Sequence, residues 1–160
     1  MNAPRRTERP ASVVEFNLNG KTVEAFDGET ILNAAQRVGV AIPHLCYKAG
    51  YRADGNCRAC VVEVKGERVL APACCRAATS GMEVTSNSER AEKSQKMVLE
   101  LLLSDMPETI YTRHSELDRW AAELNVGKPR FGGVDMKRPQ PAADLTHHAI
   151  AVNQIGRAHV

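Results

Sequence analysis

Four of the five cysteines, Cys46, Cys57, Cys60 and Cys74, fall in one stretch with the spacing C-x10-C-x2-C-x13-C. Thiolates are soft ligands, and a [2Fe-2S] cluster of this type takes four of them, which one long loop, a tight C-x2-C pair and one distant residue can supply. Cys46 stands on the long arm, Cys57 and Cys60 form the pair, and Cys74 closes the set from afar. The intervening run AGYRADGNCRAC carries Gly50 and Gly55. These let the backbone fold tightly and aim amide N–H groups at sulfur. The cofactor contacts expected from this loop are Gly55, Asn56, Arg58 and Ala59.

Other thiol chemistries fit less well. A structural zinc site also takes four thiolates but commonly pairs them in two C-x2-C knuckles, and only one such pair is present. A zinc-stabilised interaction domain therefore stands as an alternative. A dithiol redox pair would precede a helix, whereas Cys60 opens the alternating, strand-like run CVVEV. A Rieske centre needs two histidines, and His44 is the one histidine near these cysteines.

The elements that must hold the loop are legible on either side of it. The runs VVEFNL and KTVEAF flank Asn19-Gly20, whose tolerance of positive φ predicts a hairpin through a type I′ turn. Thr30 is placed to cap a helix ILNAAQRV with Ile31, Ala34, Ala35 and Val38 on one face, and Gly39 to end it. Pro43 then delivers an extended chain to Cys46. CVVEVKGERVLA reads as a second hairpin turning near Gly66, with Val62, Val64, Val69 and Ala71 available for burial, and Pro72 stopping its second strand. MEVTS after Gly81 supplies a fifth strand. Five short strands with a helix packed across them predict an α+β fold.

The quoted motifs resemble a known family. From Val13 to about Met106, DGETIL, IPHLCY, GNCRACVVEV, APACCR and GMEV are similar to the ferredoxin-type β-grasp domain at the amino end of large redox subunits. Such subunits occur in respiratory complex I, in hydrogenases and in NAD-dependent molybdenum or tungsten formate dehydrogenases. The wording YRADGNCRAC, ERVLAPAC and RAEKSQKMVLELLLSDMP resembles most the formate dehydrogenase alpha subunit. The resemblance implies that Cys46, Cys57, Cys60 and Cys74 ligate the cluster and that Cys75 stands where relatives carry an apolar residue. It also implies partners, namely the remaining domains of a parent subunit and a flavin- and NAD-binding subunit. Complex I follows this domain with a segment of one histidine and three cysteines, and no cysteine follows Cys75 here. That departure favours the formate dehydrogenase reading over the complex I or hydrogenase alternative.

Downstream, NSERAEKSQKMVLELLLSD predicts a long helix with a Ser86–Glu89 capping box and an apolar stripe of Met97, Val98, Leu101 and Leu102, widened by Leu99 and Leu103. SELDRWAAELN places Leu117, Trp120, Ala121 and Leu124 on one helical face. Gly127, Pro129, Gly132, Gly133, Pro139 and Pro141 mark a linker. The expected organisation is a disordered segment 1–12, a cluster domain 13–87, a helical extension 88–127 and a linker and tail 128–160. The final QIGRAHV resembles a translated sequencing-library adapter. The chain is accordingly expected to be a fragment, with 107–160 weakly ordered for want of a docking surface. His114, His147 and His148 lack cysteine companions and read as surface residues.

With 160 residues, 43% of them hydrophobic, and a formal net charge of +2, nothing points to nucleic acid. No apolar run is long enough to span a bilayer or to follow the charged MNAPRRTERP as a signal sequence. An odd cysteine count without a secretory signal favours metal ligation in the cytoplasm over a disulfide framework. Neither a nucleophile nor a substrate pocket is legible. The expected function is one-electron transfer, with catalysis resident elsewhere. An oxidised cluster with its four thiolates carries a charge of about −2, which becomes about −3 on reduction, so loop amides and the Arg58 cation are expected to tune its potential.

Overall fold

The computed structural model describes residues 13–106, 115–131, 144–147 and 150–152. Strands β1 (Val13–Leu18) and β2 (Lys21–Phe26) pair antiparallel with Leu18 opposite Lys21. Between them Asn19 and Gly20 have φ of 53° and 82°, the two positive values that a type I′ turn needs. Phe16, Leu18, Val23 and Ala25 alternate inward and are buried.

Helix α1 (Ile31–Arg37) begins at Thr30, whose hydroxyl accepts from the Asn33 amide at 3.3 Å. Its buried face is Ile31, Leu32, Ala34 and Ala35. The expected Val38 is instead the C-cap and is 44% exposed. Its place in the core passes to Leu32, because the Leu32 amide bonds the Ala73 carbonyl at 3.0 Å and draws the helix start onto the Cys74 segment. Glu29 and Arg37 form an ion pair at 2.9 Å across the entrance and end of this helix.

Strands β3 (Val61–Val64), β4 (Ala71–Pro72) and β5 (Glu83–Thr85) complete a five-stranded mixed sheet ordered β2-β1-β5-β3-β4. β5 runs parallel to β1 and antiparallel to β3. The second hairpin is shorter than expected. Only Val61 with Pro72 and Val62 with Ala71 are paired, and Val69, expected inside, is 62% exposed because the chain has left the ladder there. β-grasp architecture follows from this order, with α1 laid over one face.

Helix α2 (Glu89–Ser104) departs from the expected cap and stripe. Ser88, not Ser86, is the N-cap, accepting from the Ala91 amide at 3.2 Å. Ser86 is engaged by the hairpin turn: Asn19 Nδ2 donates to its hydroxyl, and its own amide donates to Asn19 Oδ1, both at 2.8 Å. The buried face of α2 is Ala91, Gln95, Leu99 and Glu100, while Leu101 is 47% exposed. An apolar pattern misses this face because two of its members are polar. Gln95 Nε2 donates to the carbonyls of Val61 at 2.9 Å and Ser86 at 3.3 Å, which offsets the cost of its burial.

Helix α3 (Glu116–Glu123) starts at the Ser115 cap and buries Trp120 and Ala121, with Leu117 and Leu124 beside them. Trp120 and Ala121 thus pack against the rest of the chain, where 107–160 was expected to lack a docking surface. Arg130 makes a two-pronged contact with Glu100 of α2, with Nε and Nη2 each 2.8 Å from a carboxylate oxygen. A small antiparallel hairpin, β6 (Asp144–His147) and β7 (Ile150–Val152), lies where a linker was expected. The expectations for 1–12, His114, His148 and 153–160 fall outside the described residues.

Candidate metal centre

The cysteine loop hangs between α1 and β3 and is closed by the turn after β4. Gly39, at φ 76°, ends α1, and the chain reaches Cys46 past the buried Ile42. Gly50, Gly55 and Arg58 then take positive φ of 86°, 66° and 58°. Gly55 also lies close to Cys75, since a Cβ there would stand 2.9 Å from Cys75 Sγ and that side chain would have to move. Arg58 is not a glycine, so its left-handed backbone costs about 1 kcal/mol or more. That conformation, between Cys57 and the Ala59 amide, turns successive N–H groups toward one concavity.

The sulfurs come together as two pairs. Cys46 and Cys57 contact each other, the Cys57 amide lying 3.5 Å from Cys46 Sγ. Asn56 N–H also faces Cys46 Sγ. Cys57 Sγ receives the amides of Ala59, Cys46 and Leu45. Cys60 and Cys74, both buried, form the second pair, and the Cys74 amide points at Cys60 Sγ. Their positions are set by the sheet, since Cys60 immediately precedes β3 and the Ala73 amide bonds the Cys60 carbonyl at 3.0 Å.

Thiol acidities follow this arrangement. Burial pushes the Cys60 and Cys74 thiols up, and for Cys74 the neighbouring Cys60 and Cys75 sulfurs add to the rise. Desolvation likewise raises Cys46. Burial acts in the same direction on Cys57, but the amides of Ala59, Cys46 and Leu45 outweigh it and hold the thiol below its ordinary value.

Of the loop contacts expected from the sequence, Asn56 and Ala59 offer amides to sulfur, and Gly55 meets Cys75 rather than one of the four. The Arg58 side chain is exposed, so its contribution is chiefly backbone shape. Sequence reasoning missed the Leu45 and Cys46 amides, for which composition carries no signal. It also missed the cover over the loop. Ala59, Leu99 and Trp120 form one buried cluster, against which Leu45 and Cys57 pack, so α2 and α3 cover Cys57 while Cys46 stays exposed. His44 lies between Tyr47 and Trp120, with ring centroids 5.8 and 5.7 Å away.

Two sulfur pairs suit a cluster in which each of two irons takes two protein thiolates. Fold and site together define an α+β iron–sulfur domain of the β-grasp kind. Residues 11–89 match the family model of the 2Fe-2S iron-sulfur cluster binding domain, and the cofactor of this segment is a [2Fe-2S] cluster.

The chain is 43% identical over 134 residues to the NADP-reducing hydrogenase subunit HndD of Solidesulfovibrio fructosivorans, covering 78% of this chain and 23% of that protein. It is 35% identical over 149 residues to an NADH-quinone oxidoreductase subunit of Rhizobium meliloti (strain 1021), covering 91% and 17%. A crystal structure of an NAD+-reducing [NiFe]-hydrogenase in the H2-reduced state superposes with a TM-score of 0.73 at 27% identity, over 84% of this chain and 57% of that one. The chain thus spans less than a quarter of the length of these two curated relatives.

Proposed function

We infer that this chain carries single electrons as a module of a larger NAD(P)-linked oxidoreductase, with Cys46, Cys57, Cys60 and Cys74 as cluster ligands. The pairing of Cys46 with Cys57 and of Cys60 with Cys74 carries this reading. When bound, the cluster supplies a one-electron redox couple. The chain's own residues do the rest. Amides of Leu45, Cys46, Asn56, Cys57, Ala59 and Cys74 face sulfur and offset the negative charge that an electron adds. Leu99 and Trp120 keep water from the Cys57 side.

The test is iron and sulfide analysis of anaerobically purified protein. Two of each per chain, with a paramagnetic signal on reduction only, are expected. Replacing Cys46, Cys57 or Cys60 by Ser should abolish or destabilise the cluster. Zinc in protein from iron-replete cells would refute the assignment.

Within this class, the wording YRADGNCRAC and RAEKSQKMVLELLLSDMP supports the alpha subunit of an NAD-dependent molybdenum or tungsten formate dehydrogenase. The hydrogenase and NADH-quinone oxidoreductase relatives support the alternative, a complex I or hydrogenase module. On either reading the partners are further domains of a parent subunit and a flavin- and NAD-binding subunit in the cytoplasm. Among the described residues no helix is long and apolar enough to cross a membrane. Isolation of the native complex distinguishes the two readings: formate-dependent NAD reduction supports the first, and hydrogen- or quinone-linked turnover without it supports the second.

A further inference from the structure

The turn that carries Cys74 carries a second thiol that the proposed ligand set does not use. An extended segment would send neighbouring side chains to opposite sides, but residues 73–75 form a turn, with the Cys75 and Arg76 amides both bonded to the Pro72 carbonyl at 3.1 and 3.0 Å. The two sulfurs consequently converge to 3.5 Å. Two thiolates on one tetrahedral metal, with metal–sulfur bonds of about 2.3 Å, stand about 3.8 Å apart. Cys75 Sγ is therefore already at the separation of a ligand sharing an iron with Cys74. It also faces the cysteine loop, 3.6 Å from the Ala53 carbonyl and against the bare Cα of Gly55. Cys74 is buried beside Cys60, whereas Cys75 is exposed, which makes Cys74 the resident and Cys75 the neighbour.

We propose that Cys75 is a reserve ligand, which binds the iron held by Cys60 when the Cys74 sulfur is unavailable. This rests on the ligand set given above. In the exchange the Cys75 thiol releases its proton to water and its sulfur forms the bond to iron. The bond from the residue 74 sulfur breaks and that sulfur takes up a proton. The oxidation state of iron does not change.

The test compares iron and sulfide content and the visible circular dichroism of the whole chain carrying Cys74→Ala, Cys75→Ala or both. Cys75→Ala should match the parent. Cys74→Ala should keep two irons per chain with an altered spectrum, and the double variant should lose cluster by roughly tenfold or more. Should Cys74→Ala not fold, the near-isosteric Cys74→Ser replaces it. Alkylation by iodoacetamide adds a readout independent of spectra: Cys75 should react in the holo parent, be protected in the holo Cys74 variant, and react again after chelation. A Cys74 variant that folds but holds no more iron than the double variant overturns the proposal. Loss of cluster in Cys75→Ala alone would instead overturn the ligand set on which it stands.

Discussion

Trp120 Nε1 donates to the carbonyl of His44 at 3.1 Å, across 76 residues of sequence. This one bond fastens α3 to the chain two residues before Cys46. The helical extension is therefore part of the wall of the metal centre and not an appendage to it. Replacing Trp120 by Phe should keep most of the packing and remove the bond, at a cost of about 1 kcal/mol. Trp120→Ala should cost about 3–5 kcal/mol and speed iron loss to a chelator, because the Leu99–Ala59 cluster is opened. Urea denaturation and chelation kinetics measure the two effects separately.

Gln95 is a second point of dependence. Its amide satisfies the carbonyls of Val61 and Ser86, so Gln95→Leu should destabilise the chain by about 1–3 kcal/mol despite conserving volume. Equal stability of parent and variant in urea would show that water replaces the amide.

Arg58 separates backbone from charge. Arg58→Gly should leave stability equal or raised, since glycine adopts the φ of 58° without strain. Arg58→Glu should lower the reduction potential, because the added electron meets a new negative charge, and the difference should shrink with salt as it does for exposed groups. Potentiometry at two ionic strengths reads both the sign and the screening.

The thiols predict opposite pH responses for the two forms of the protein. In the metal-free chain, burial raises the Cys60 and Cys74 thiols above their unfolded values. Their contribution to stability is fully present below the unfolded cysteine pKa of about 8.5 and is lost as pH rises beyond it. Iron binding must expel those protons, so reconstitution should improve over the same rise in pH. Thermal melts of apoprotein and iron uptake, each followed from pH 7 to about pH 9.5, test the pair of trends.

The [2Fe-2S] cofactor was legible because its chemistry is written in residue type. The Asn19-Gly20 turn and the Thr30 cap are local signals, and each is found where the sequence places it. Errors arose where a non-local partner decides. Ser86 reads as a helix cap until Asn19, 67 residues away, claims it. Gln95 falls outside the apolar stripe read from the sequence, and two carbonyls from other segments take its amide. Val69 alternates as a strand residue would, but Pro72 and the short β4 leave it no ladder to join. Neither the amides that serve sulfur nor the convergence of Cys74 and Cys75 has a compositional signature, because both arise from φ values and turn geometry.

The parallel pairing of β1 with β5 has a kinetic consequence during synthesis. The first hairpin is local and can close within microseconds, yet Asn17 finds Glu83, and Asn19 finds Ser86, only after the whole cysteine loop has been made. Such distant closure slows folding. Until it occurs, β3 has no neighbour on the β5 side, and the thiols of Cys60 and Cys74 emerge from the ribosome as unpaired, reactive groups. The interval between translation of residue 60 and closure by residue 86 is thus the window in which the nascent chain is open to oxidation, and the one in which an iron–sulfur donor would find its acceptor unguarded.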